Sequence, residues 1–322
     1  MIFFKTPEFW YRKPSVFQKI VLRPISYIYS RVATRNYWKS YAYEARKAKV
    51  IAIGGITMGG SGKTIVVHSI CEALKSKNKK VAVLSRGFGR LSKKTLLVDS
   101  GIHSCKDVGD EPLLLSNVAP VYVGKDRSKS AKLAETEDFD FLVLDNGITQ
   151  KFLKPNIKLV VIDGEQRFGN GEMFPLGPNY LNFKEIKSDI DGIIVLNKHP
   201  QIKCLENEGI PLLYGKLQPD FSQIKGRVVA FCGIGYPNKF FNSLADFAIV
   251  EKIAFPDHYP FSDADIEKLI FKAERWKAQL VTTEKDFMRI SEKYRCIISI
   301  VPVKIVWEAP IIDFLKNLAI EI

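Results

Sequence analysis

The sequence predicts an α/β fold of the P-loop NTPase type, a mostly parallel sheet flanked by helices, followed by a second, smaller α/β domain. Short runs that are apolar throughout, such as Val50–Gly54 and Phe139–Asp145, alternate with stretches of helical periodicity. Strands that are apolar on both faces are typical of parallel sheets covered by helices. A glycine-rich loop joins the first of these strands to a helix predicted over Lys63–Lys75, and the alternation restarts near residue 206.

The predicted elements divide the chain into three segments. Residues 1–49 form a basic, aromatic, amphipathic helical segment belonging to the first domain, residues 50–205 form the P-loop domain, and residues 206–322 form the smaller domain. The first domain has predicted strands at Val50–Gly54, Lys80–Leu84, Val121–Gly124, Phe139–Asp145, Lys158–Asp163 and Asp191–Leu196. The second has predicted strands at Arg227–Cys232, Val250–Phe255, Gln279–Thr283 and Ile297–Val301, and helices at Pro237–Phe247, Ser262–Trp276 and Pro310–Leu318. The last helix could pack back on the first domain.

Composition excludes several classes of protein. With 322 residues, 46% hydrophobic and 26% charged, the chain is typical of globular proteins and not of disordered ones. Five scattered cysteines without a C-x-x-C pair argue against a zinc site or a disulfide framework, and suit a reducing compartment. No run of 18 or more apolar residues occurs, so no transmembrane helix is predicted.

The positive charge is concentrated at the N-terminus. Residues 1–49 hold eleven Lys and Arg against Glu8 and Glu44, which gives +9 of the net +13. Aromatic residues are interleaved with these cations, and Phe17, Ile20, Val21 and Ile25 follow roughly helical spacing until Pro24 is expected to kink or end the helix. Such a segment fits a membrane surface or packing on the body about equally well, and a nucleic-acid patch less well.

The glycine-rich loop predicts a phosphate-binding site. It lies between a predicted strand and a predicted helix, so backbone N–H groups and the positive end of the helix dipole would surround phosphate oxygens. Lys63 would reach the β- and γ-phosphates, and the Thr64 hydroxyl would bind Mg²⁺. The first glycine of the general motif is replaced by threonine. The predicted nucleotide-binding residues of the loop are Thr57, Gly59, Gly60, Ser61, Gly62, Lys63 and Thr64.

Two further sequence features concern the Mg²⁺ ligands and the choice between ATP and GTP. Asp145 ends an apolar strand, so its carboxylate is expected at the carboxyl edge of the sheet, where nucleotides bind. There it would be a second Mg²⁺ ligand. Guanine-specific P-loop proteins have Asn-Lys-x-Asp after a strand. Here Pro200 stands in the place of that aspartate after Asn197-Lys198-His199, which favours ATP.

Several short motifs occur in one order along most of the chain. They are Pro7–Tyr11, Thr57–Thr64, Ser85–Arg90, Gly109–Pro112, Asp145–Gly147, Phe168–Gly171, Pro175–Pro178, Gly233–Pro237 with Phe240, Asp257-His258 and Thr282–Asp286. Each motif is weak alone. Together they resemble the tetraacyldisaccharide 4'-kinase family, the lipid A 4'-kinases of outer-membrane biogenesis.

The resemblance implies a reaction and residue roles. The reaction is transfer of the γ-phosphoryl group of ATP to the 4'-hydroxyl of a tetraacylated glucosamine disaccharide 1-phosphate. Asp110 would act as the general base together with His258, and Glu111 would contact the metal. Lys63, together with Arg86 or Arg127, would neutralise developing charge, and Arg86 is also expected among the nucleotide-binding residues. From the residues alone, Gly109–Pro112 is also compatible with an exposed turn and His258 with a surface position.

Two departures from the family pattern fall near the expected site. Asn146 stands where the family has a second aspartate, in Asp145-Asn146-Gly147-Ile148-Thr149-Gln150. Asn179-Tyr180-Leu181 replaces the family's Leu-Arg-Glu after Gly177-Pro178. They put the detailed contacts in question more than the class of reaction.

The resemblance also implies partners and a location. The expected partners are the acylated disaccharide lipid and an anionic membrane surface, without nucleic acid and without an obligate protein partner. The expected location is the cytoplasmic face of the bacterial inner membrane, as a peripheral or monotopic protein. Two alternatives stay open: a P-loop switch ATPase of the partition or metallochaperone type acting on a protein partner, and a non-catalytic nucleic-acid-binding protein that uses the basic N-terminus.

Overall fold

Two separate sheets organise the residues that the computed structural model describes, 6–318 and 320–322. The described strands are β1 (Lys49–Gly54), β2 (Val81–Ser85), β3 (Leu96–Leu97), β4 (Val121–Val123), β5 (Phe141–Leu144), β6 (Ile157–Asp163), β7 (Gly192–Leu196), β8 (Leu212–Pro219), β9 (Arg227–Cys232), β10 (Ala248–Ala254), β11 (Gln279–Thr283), β12 (Ile298–Val301) and β13 (Val303–Trp307). The helices are α1 (Val16–Tyr37), α2 (Lys63–Lys75), α3 (Cys105–Val108), α4 (Asp110–Leu115), α5 (Arg127–Ala134), α6 (Phe183–Ile186), α7 (Pro237–Ser243), α8 (Asp263–Arg275), α9 (Glu284–Phe287), α10 (Glu292–Arg295) and α11 (Ile311–Asn317). Short 3-10 helices occur at Glu8–Tyr11, Lys187–Asp189 and Pro200–Glu208.

The larger sheet has the order β13-β8-β7-β6-β1-β5-β2-β4-β3. Its central strands run parallel, and only the edge strands β3 and β13 pair antiparallel with their neighbours. Buried side chains cover both faces of the sheet, in one cluster with α2 and α11 and in another on the opposite face. The predicted P-loop NTPase-like fold is therefore confirmed. The smaller sheet, in the order β10-β9-β11-β12, is fully parallel and confirms the second α/β unit.

The change of sheet does not coincide with the predicted boundary at residues 205 and 206. The chain adds β8 to the larger sheet after that point, and it returns to the same sheet through β13. Helix α11 then packs its buried face with α2 in the core of the larger sheet. The prediction missed β8 and β13 because both strands are only half-buried and lack continuous apolar runs.

Helix α1 is longer than the sequence suggested, since it continues through Pro24 to Tyr37. Ser15 and Gln18 form a capping box at its start. One side of the helix contacts the body through Ser26, whose hydroxyl donates to the Met173 carbonyl at 3.0 Å. The rest is largely exposed, with Phe17 and Ile20 at 75% and 70% exposure. Within residues 6–318 and 320–322, every helix is too short or too polar to span a membrane.

Candidate active site

The phosphate loop lies between β1 and α2, and its backbone requires glycine at two positions. Gly59 and Gly62 have φ of 96° and 84°, in the left-handed region that glycine adopts without strain. A Cβ at Gly62 would also stand 2.4 Å from the Cδ1 of Leu196. The Lys63 ammonium donates to the buried Ser61 hydroxyl at 3.1 Å. This geometry leaves the first turn of α2 facing the carboxyl edge of the sheet.

A neighbouring segment holds the phosphate loop in place. The Met58 N–H donates to the Pro178 carbonyl at 2.8 Å, and Thr57 forms an isolated bridge with Asn179. The Tyr180 hydroxyl donates to the Gly55 carbonyl at 2.5 Å. These bonds explain why threonine replaces glycine at residue 57, since this part of the loop pairs as an extended strand. The loop is therefore preorganised by contacts with residues 178–180.

Asp145 lies at the end of β5, next to the strand that leads into the phosphate loop. It is 3% exposed, and its Oδ2 accepts a hydrogen bond from the Ser85 hydroxyl at 2.9 Å. Burial, and then the negative charge of Glu111, raise the pKa of Asp145 to about 6, against the opposing charges of Lys63 and Arg127. A carboxylate held at such a cost is suited to receive a cation.

The two predicted base residues come together from different sheets. Asp110 is the first residue of α4 in the larger unit, and His258 follows β10 in the smaller unit. The Asp110 Oδ2 lies 2.9 Å from the His258 Nδ1, and the side chains are 3% and 16% exposed. Burial acts to raise the pKa of Asp110, but Lys285 and His258 outweigh it and hold that pKa well below its usual value. Asp110 is therefore a carboxylate that can orient the imidazole.

Lys285 occupies the other side of this pair. Its Nζ lies 3.0 Å from the Glu111 Oε1 and 3.1 Å from the His258 Nε2. Burial acts to lower the pKa of Lys285, but Glu111 and Asp110 outweigh it and raise that pKa above its usual value. The side chain is thus an ammonium that can only donate, so the His258 Nε2 accepts and the Nδ1 carries the proton shared with Asp110.

Arg289 is the fourth member of this cluster and lies next to Asp110. Its Nε lies 3.4 Å from the Asp110 Oδ2, and its Nη2 donates to the Gly233 carbonyl at 3.0 Å and also contacts Asp286. Asp286 is fully buried and accepts from the Gly233 N–H at 2.9 Å and the Thr283 hydroxyl at 2.6 Å. These bonds fix the turn that carries His258, since the His258 N–H also donates to the Gly233 carbonyl.

The smaller unit also touches the phosphate loop itself. A Cβ at Gly235 would lie 3.2 Å from the Cα of Gly59. Lys239 of α7 forms an ion pair with Asp163, which is 1% exposed at the end of β6. The ring of Tyr11 packs on that of Tyr236, with centroids 5.7 Å apart. The cluster of Asp110, His258, Lys285 and Arg289 and the phosphate loop therefore both lie where the two units meet.

Comparison with known proteins agrees with this geometry. The model of the family described as "Tetraacyldisaccharide-1-P 4'-kinase" matches residues 18–319 of the chain. The chain belongs to the tetraacyldisaccharide-1-P 4'-kinase family. The tetraacyldisaccharide 4'-kinase of Allorhizobium ampelinum is 37% identical over 88% of this chain and 84% of its own length. That of Rhodospirillum centenum is 33% identical over 95% and 94%.

A solved structure of the same family has the same fold. It is LpxK from Aquifex aeolicus in complex with ATP, with a TM-score of 0.76 and 26% identity, covering 94% of this chain and 98% of that one. Because the match spans both sheets, the two-unit cleft belongs to the 4'-kinase architecture rather than to the P-loop domain alone.

The structure gathers most of the predicted site residues of this 4'-kinase family member, but not all. Asp110, His258 and Glu111 form one cluster, and Glu111 and Asp145 act electrostatically on Lys63, whose pKa is lowered mainly by burial. Arg86 is exposed. Burial lowers the pKa of Arg127 to about 10, against the charge of Asp145 and with a contribution from Arg86.

Sequence reasoning missed Lys285 and Arg289 as members of the cluster. Lys285 lies inside the motif Thr282–Asp286, but the motif by itself assigns it no role. Lys285 lies next to Glu111 and His258, and Arg289 lies next to Asp110 and Asp286. Glu111 and Asp110 belong to the other unit, and no local pattern in the sequence reveals these contacts.

The two departures from the 4'-kinase pattern have local explanations. Asn146 has a φ of 52°, a left-handed conformation that asparagine adopts more readily than most residues. Asn179 is buried, and its Nδ2 donates to the carbonyls of Phe168 at 3.0 Å and Glu172 at 2.9 Å. Both residues therefore shape backbone beside the phosphate loop.

Proposed function

We propose that Asp110 and His258 form the general base for the reaction of this family, with Lys63 and Asp145 in the nucleotide site beside them. Membership in the family makes the chain an ATP-dependent kinase, which phosphorylates the 4'-hydroxyl of the tetraacylated disaccharide 1-phosphate precursor of lipid A. The observation that carries the proposal is the 2.9 Å contact of Asp110 and His258 across the cleft. A switch ATPase needs no such pair.

The tautomer of His258 suits proton transfer from the acceptor. Its Nδ1 faces Asp110, whereas its Nε2 lies 3.1 Å from the Lys285 Nζ and 3.9 Å from the Asp257 Oδ1. When the acceptor hydroxyl takes the place of Lys285, the Nε2 lone pair accepts the hydroxyl proton. Asp110 then stabilises the imidazolium that forms, and the hydroxyl oxygen attacks the γ-phosphorus while the bond from that phosphorus to the β,γ-bridging oxygen breaks and ADP leaves. Phe88, with its ring centroid 5.0 Å from that of His258, limits rotation of the imidazole.

Cations of the chain neutralise the transferring phosphoryl group. Lys63 lies at the start of α2, where the helix dipole and the loop N–H groups add positive potential. The buried guanidinium of Arg127 donates to the Gly124 and Lys125 carbonyls, which fixes its position near Asp145. Because these groups are held in place before the substrate arrives, they stabilise the transition state without reorganisation.

The donor set beside the phosphate loop fits Mg²⁺. Thr64 and Asp145 supply a hydroxyl and a carboxylate oxygen, the hard ligands that Mg²⁺ prefers, and Glu111 supplies a second carboxylate nearby. Among the described residues, no group of three His, Cys, Asp or Glu side chains could hold a metal ion by itself. The remaining ligands would be phosphate oxygens and water, as is usual for Mg²⁺ with ATP. When bound, the ion supplies charge neutralisation at the phosphates.

The exposed face of α1 supports binding at an anionic membrane surface. Phe17, Ile20 and Ile28 are 64–75% exposed, and Lys19 and Arg23 lie on the same helix. An amphipathic helix with cations and aromatic rings binds where head groups meet acyl chains. A cavity of about 360 Å³, lined by Tyr29 and Met58 among others, lies between α1 and the phosphate loop. It would lead a lipid acceptor from the membrane surface towards the cleft.

The test is phosphoryl transfer in vitro. Purified protein is incubated with ATP labelled at the γ-phosphate, Mg²⁺ and detergent-dispersed disaccharide 1-phosphate. We expect a labelled lipid that disappears with Lys63→Ala and falls by about 10²- to 10⁴-fold with His258→Asn. Lys77→Ala and His68→Asn are matched controls on or just beyond α2. Release of phosphate without labelled lipid would contradict the proposal and favour the switch ATPase.

A further inference from the structure

A lysine of the smaller unit occupies the position where the acceptor hydroxyl must reach the base. Lys285 belongs to α9, which follows β11 at the carboxyl edge of the smaller sheet, and its Nζ lies 3.1 Å from the His258 Nε2. That nitrogen has the lone pair that accepts the hydroxyl proton, and an ammonium group can only donate to it. Lys285 therefore needs a second partner that draws its ammonium away from the base.

The same lysine lies within electrostatic reach of the lysine of the phosphate loop. Its Nζ pairs with the Glu111 Oε1 at 3.0 Å. Burial lowers the pKa of Lys63, Glu111 acts against this effect, and the charge of Lys285 adds to it. Glu111 therefore interacts with two lysines, one from each unit, and only Lys63 has a role in the nucleotide site so far.

The loop that precedes α7 brings this part of the smaller unit onto the phosphate loop. A Cβ at Gly235 would lie 3.2 Å from the Gly59 Cα and 3.2 Å from the Asp257 Oδ2. The Asp257 Oδ1 lies 3.9 Å from the His258 Nε2. Backbone N–H groups of a glycine-rich loop of this kind surround phosphate oxygens. A phosphate held there is therefore near Asp257 and His258, which are also the neighbours of Lys285.

The charge and the flexibility of Lys285 suit a phosphate partner. Burial acts to lower its pKa, but the carboxylates of Glu111, Asp110 and Asp257 outweigh burial, so the side chain is an ammonium. Its four-carbon stem is flexible and its three donors rotate, so the ammonium can change partners without a change in the backbone. Phosphate oxygens form stronger, charge-assisted hydrogen bonds than a neutral imidazole does. The γ-phosphoryl group of ATP therefore competes with His258 for this ammonium.

We propose that Lys285 is a second phosphate-binding cation, which binds the γ-phosphoryl group of ATP and leaves the His258 Nε2 free in doing so. The inference rests on the proposed function and adds a catalytic residue from the smaller unit. The acceptor proton passes to the His258 Nε2, the bond from the acceptor oxygen to the γ-phosphorus forms, and the bond from that phosphorus to the β,γ-bridging oxygen breaks, so that ADP leaves. Lys285 keeps its own protons and donates to the phosphoryl oxygens, over which the charge of the transition state is spread.

Nucleotide binding tests this role without the lipid reaction. Calorimetry with Mg²⁺ compares ADP with the ATP analogue in which an imido group replaces the oxygen between the β- and γ-phosphorus. Methionine has a side chain of similar length without charge. In Lys285→Met we expect the affinity for the analogue to fall by about tenfold more than the affinity for ADP, because only the analogue has the γ-phosphate. An equal loss for both nucleotides would overturn the inference, since Lys285 would then act only on the structure of the site.

Two further variants control for charge and for folding. Lys293→Met removes a lysine of the same unit that pairs with Asp263, both of them exposed, and should leave both affinities unchanged. Lys285→Arg keeps the positive charge and should recover most of the lost affinity for the analogue. Retained binding of ADP shows that the phosphate loop of each variant is folded.

Nitrogen NMR of the imidazole tests whether the base is released. The chain has four histidines, so the signals of His258 are assigned in protein labelled with ¹⁵N-histidine by comparison with His258→Asn. In the wild type, the Nε2 signal should shift when the analogue binds and change little when ADP binds. In Lys285→Met, the signal should already be shifted in the same direction before any nucleotide is added. The same shift with ADP as with the analogue would overturn the inference, because the γ-phosphate would then not be what moves Lys285.

Kinetics separates failure of this inference from failure of the proposed function. We expect Lys285→Met to lower kcat for the lipid acceptor by about 10²- to 10³-fold, with a much smaller change in the KM for the acceptor. A loss confined to that KM would overturn the inference. Absence of lipid phosphorylation by the wild-type protein would contradict the proposed function, whereas the two nucleotide affinities would still decide whether Lys285 binds the γ-phosphate.

Discussion

Single residues of the cleft act through their partners rather than alone. Asp110 and His258 are in contact, with the Oδ2 and Nδ1 atoms 2.9 Å apart, and Arg289 and Lys285 each lie next to one member of the pair. In such a unit, loss of either member removes most of what both contribute. The functional unit at this scale is therefore the pair, and the effects of substitutions in it should not add.

The pair is tested by a double substitution. We expect Asp110→Asn and His258→Gln each to lower kcat by about 10²- to 10⁴-fold, since each removes either the proton acceptor or the group that orients it. The kcat of the double variant should be no more than a few-fold below that of the less active single variant. Steady-state kinetics with both substrates saturating measures this. Losses that multiply would show that the two residues act independently.

Asp145 shows the cost of a buried charge in the absence of a cation. Folding raises its pKa from 3.8 to about 6, so its protonated form is favoured in the folded state. Its contribution to the free energy of unfolding comes from the protonated form. That contribution is complete below pH 3.8 and is lost as the pH rises through about 6. Above that range the charged side chain costs the metal-free protein about 2 to 3 kcal/mol. Mg²⁺ would offset this cost.

Asp145→Asn should therefore stabilise the metal-free protein while abolishing activity. The gain in free energy of unfolding over the wild type should be largest near pH 8 and shrink as the pH falls below about 6. Urea unfolding with EDTA, at several pH values, measures it. Asp138→Asn is a control at an exposed carboxylate and should show no such dependence. A destabilised variant at pH 8 would contradict this account of the buried charge.

At the level of elements, periodicity predicted most of the sheets but not the N-terminal segment. The buried strands have continuous apolar runs, and α2 has a buried face of Val66, Val67, Ile70 and Leu74. Helix α1 passes Pro24 because a proline removes one hydrogen bond without forbidding the helix. Just before it, the side chain of Trp10 is buried, and its indole donates to the Pro175 carbonyl at 3.0 Å. Residues 6–11 thus belong to the body, whereas α1 presents its apolar face outward.

Substitutions on that face test membrane binding better than a truncation that would remove Trp10. We expect Phe17→Glu/Ile20→Glu to release the protein from phosphatidylglycerol vesicles, because two exposed apolar side chains become charged. Activity on detergent-dispersed acceptor should change little. Phe271→Glu, on a 66% exposed residue of α8, is the control. Vesicle flotation measures binding, and full retention of the double variant would rule out this face as the anchor.

At the scale of the whole molecule, the site exists only because two units meet. The motifs identified the nucleotide loop and the Asp110 and His258 positions, since each carries a local pattern. Their contact, and the contributions of Arg289 and Lys239, depend on how the smaller sheet packs on the larger one. No spacing within one element encodes that packing. The sequence therefore predicts which residues the site uses better than it predicts how the two units bring them together.

Lys239 tests whether that packing positions the base. Its ion pair with the buried Asp163 joins α7 to the end of β6, away from the reacting groups. Lys239→Ala leaves a buried carboxylate with only the N–H groups of Glu165 and Gln166, so we expect a loss of about 1 to 3 kcal/mol in stability. If the smaller unit then shifts, kcat/KM for the acceptor should fall by about 10- to 100-fold, because small misplacements of a base are costly.

The control substitution breaks a comparable ion pair that lies within one unit. Lys272 of α8 pairs with Glu251 of β10, so Lys272→Ala breaks a contact that does not join the two units. Hydrogen exchange of residues 257–259 should rise in Lys239→Ala and stay unchanged in Lys272→Ala. Equal kinetic losses in both variants would show that Lys239 acts through general stability. A selective loss in Lys239→Ala, with faster exchange around His258, would mean that the contact between units holds the base against the phosphate site.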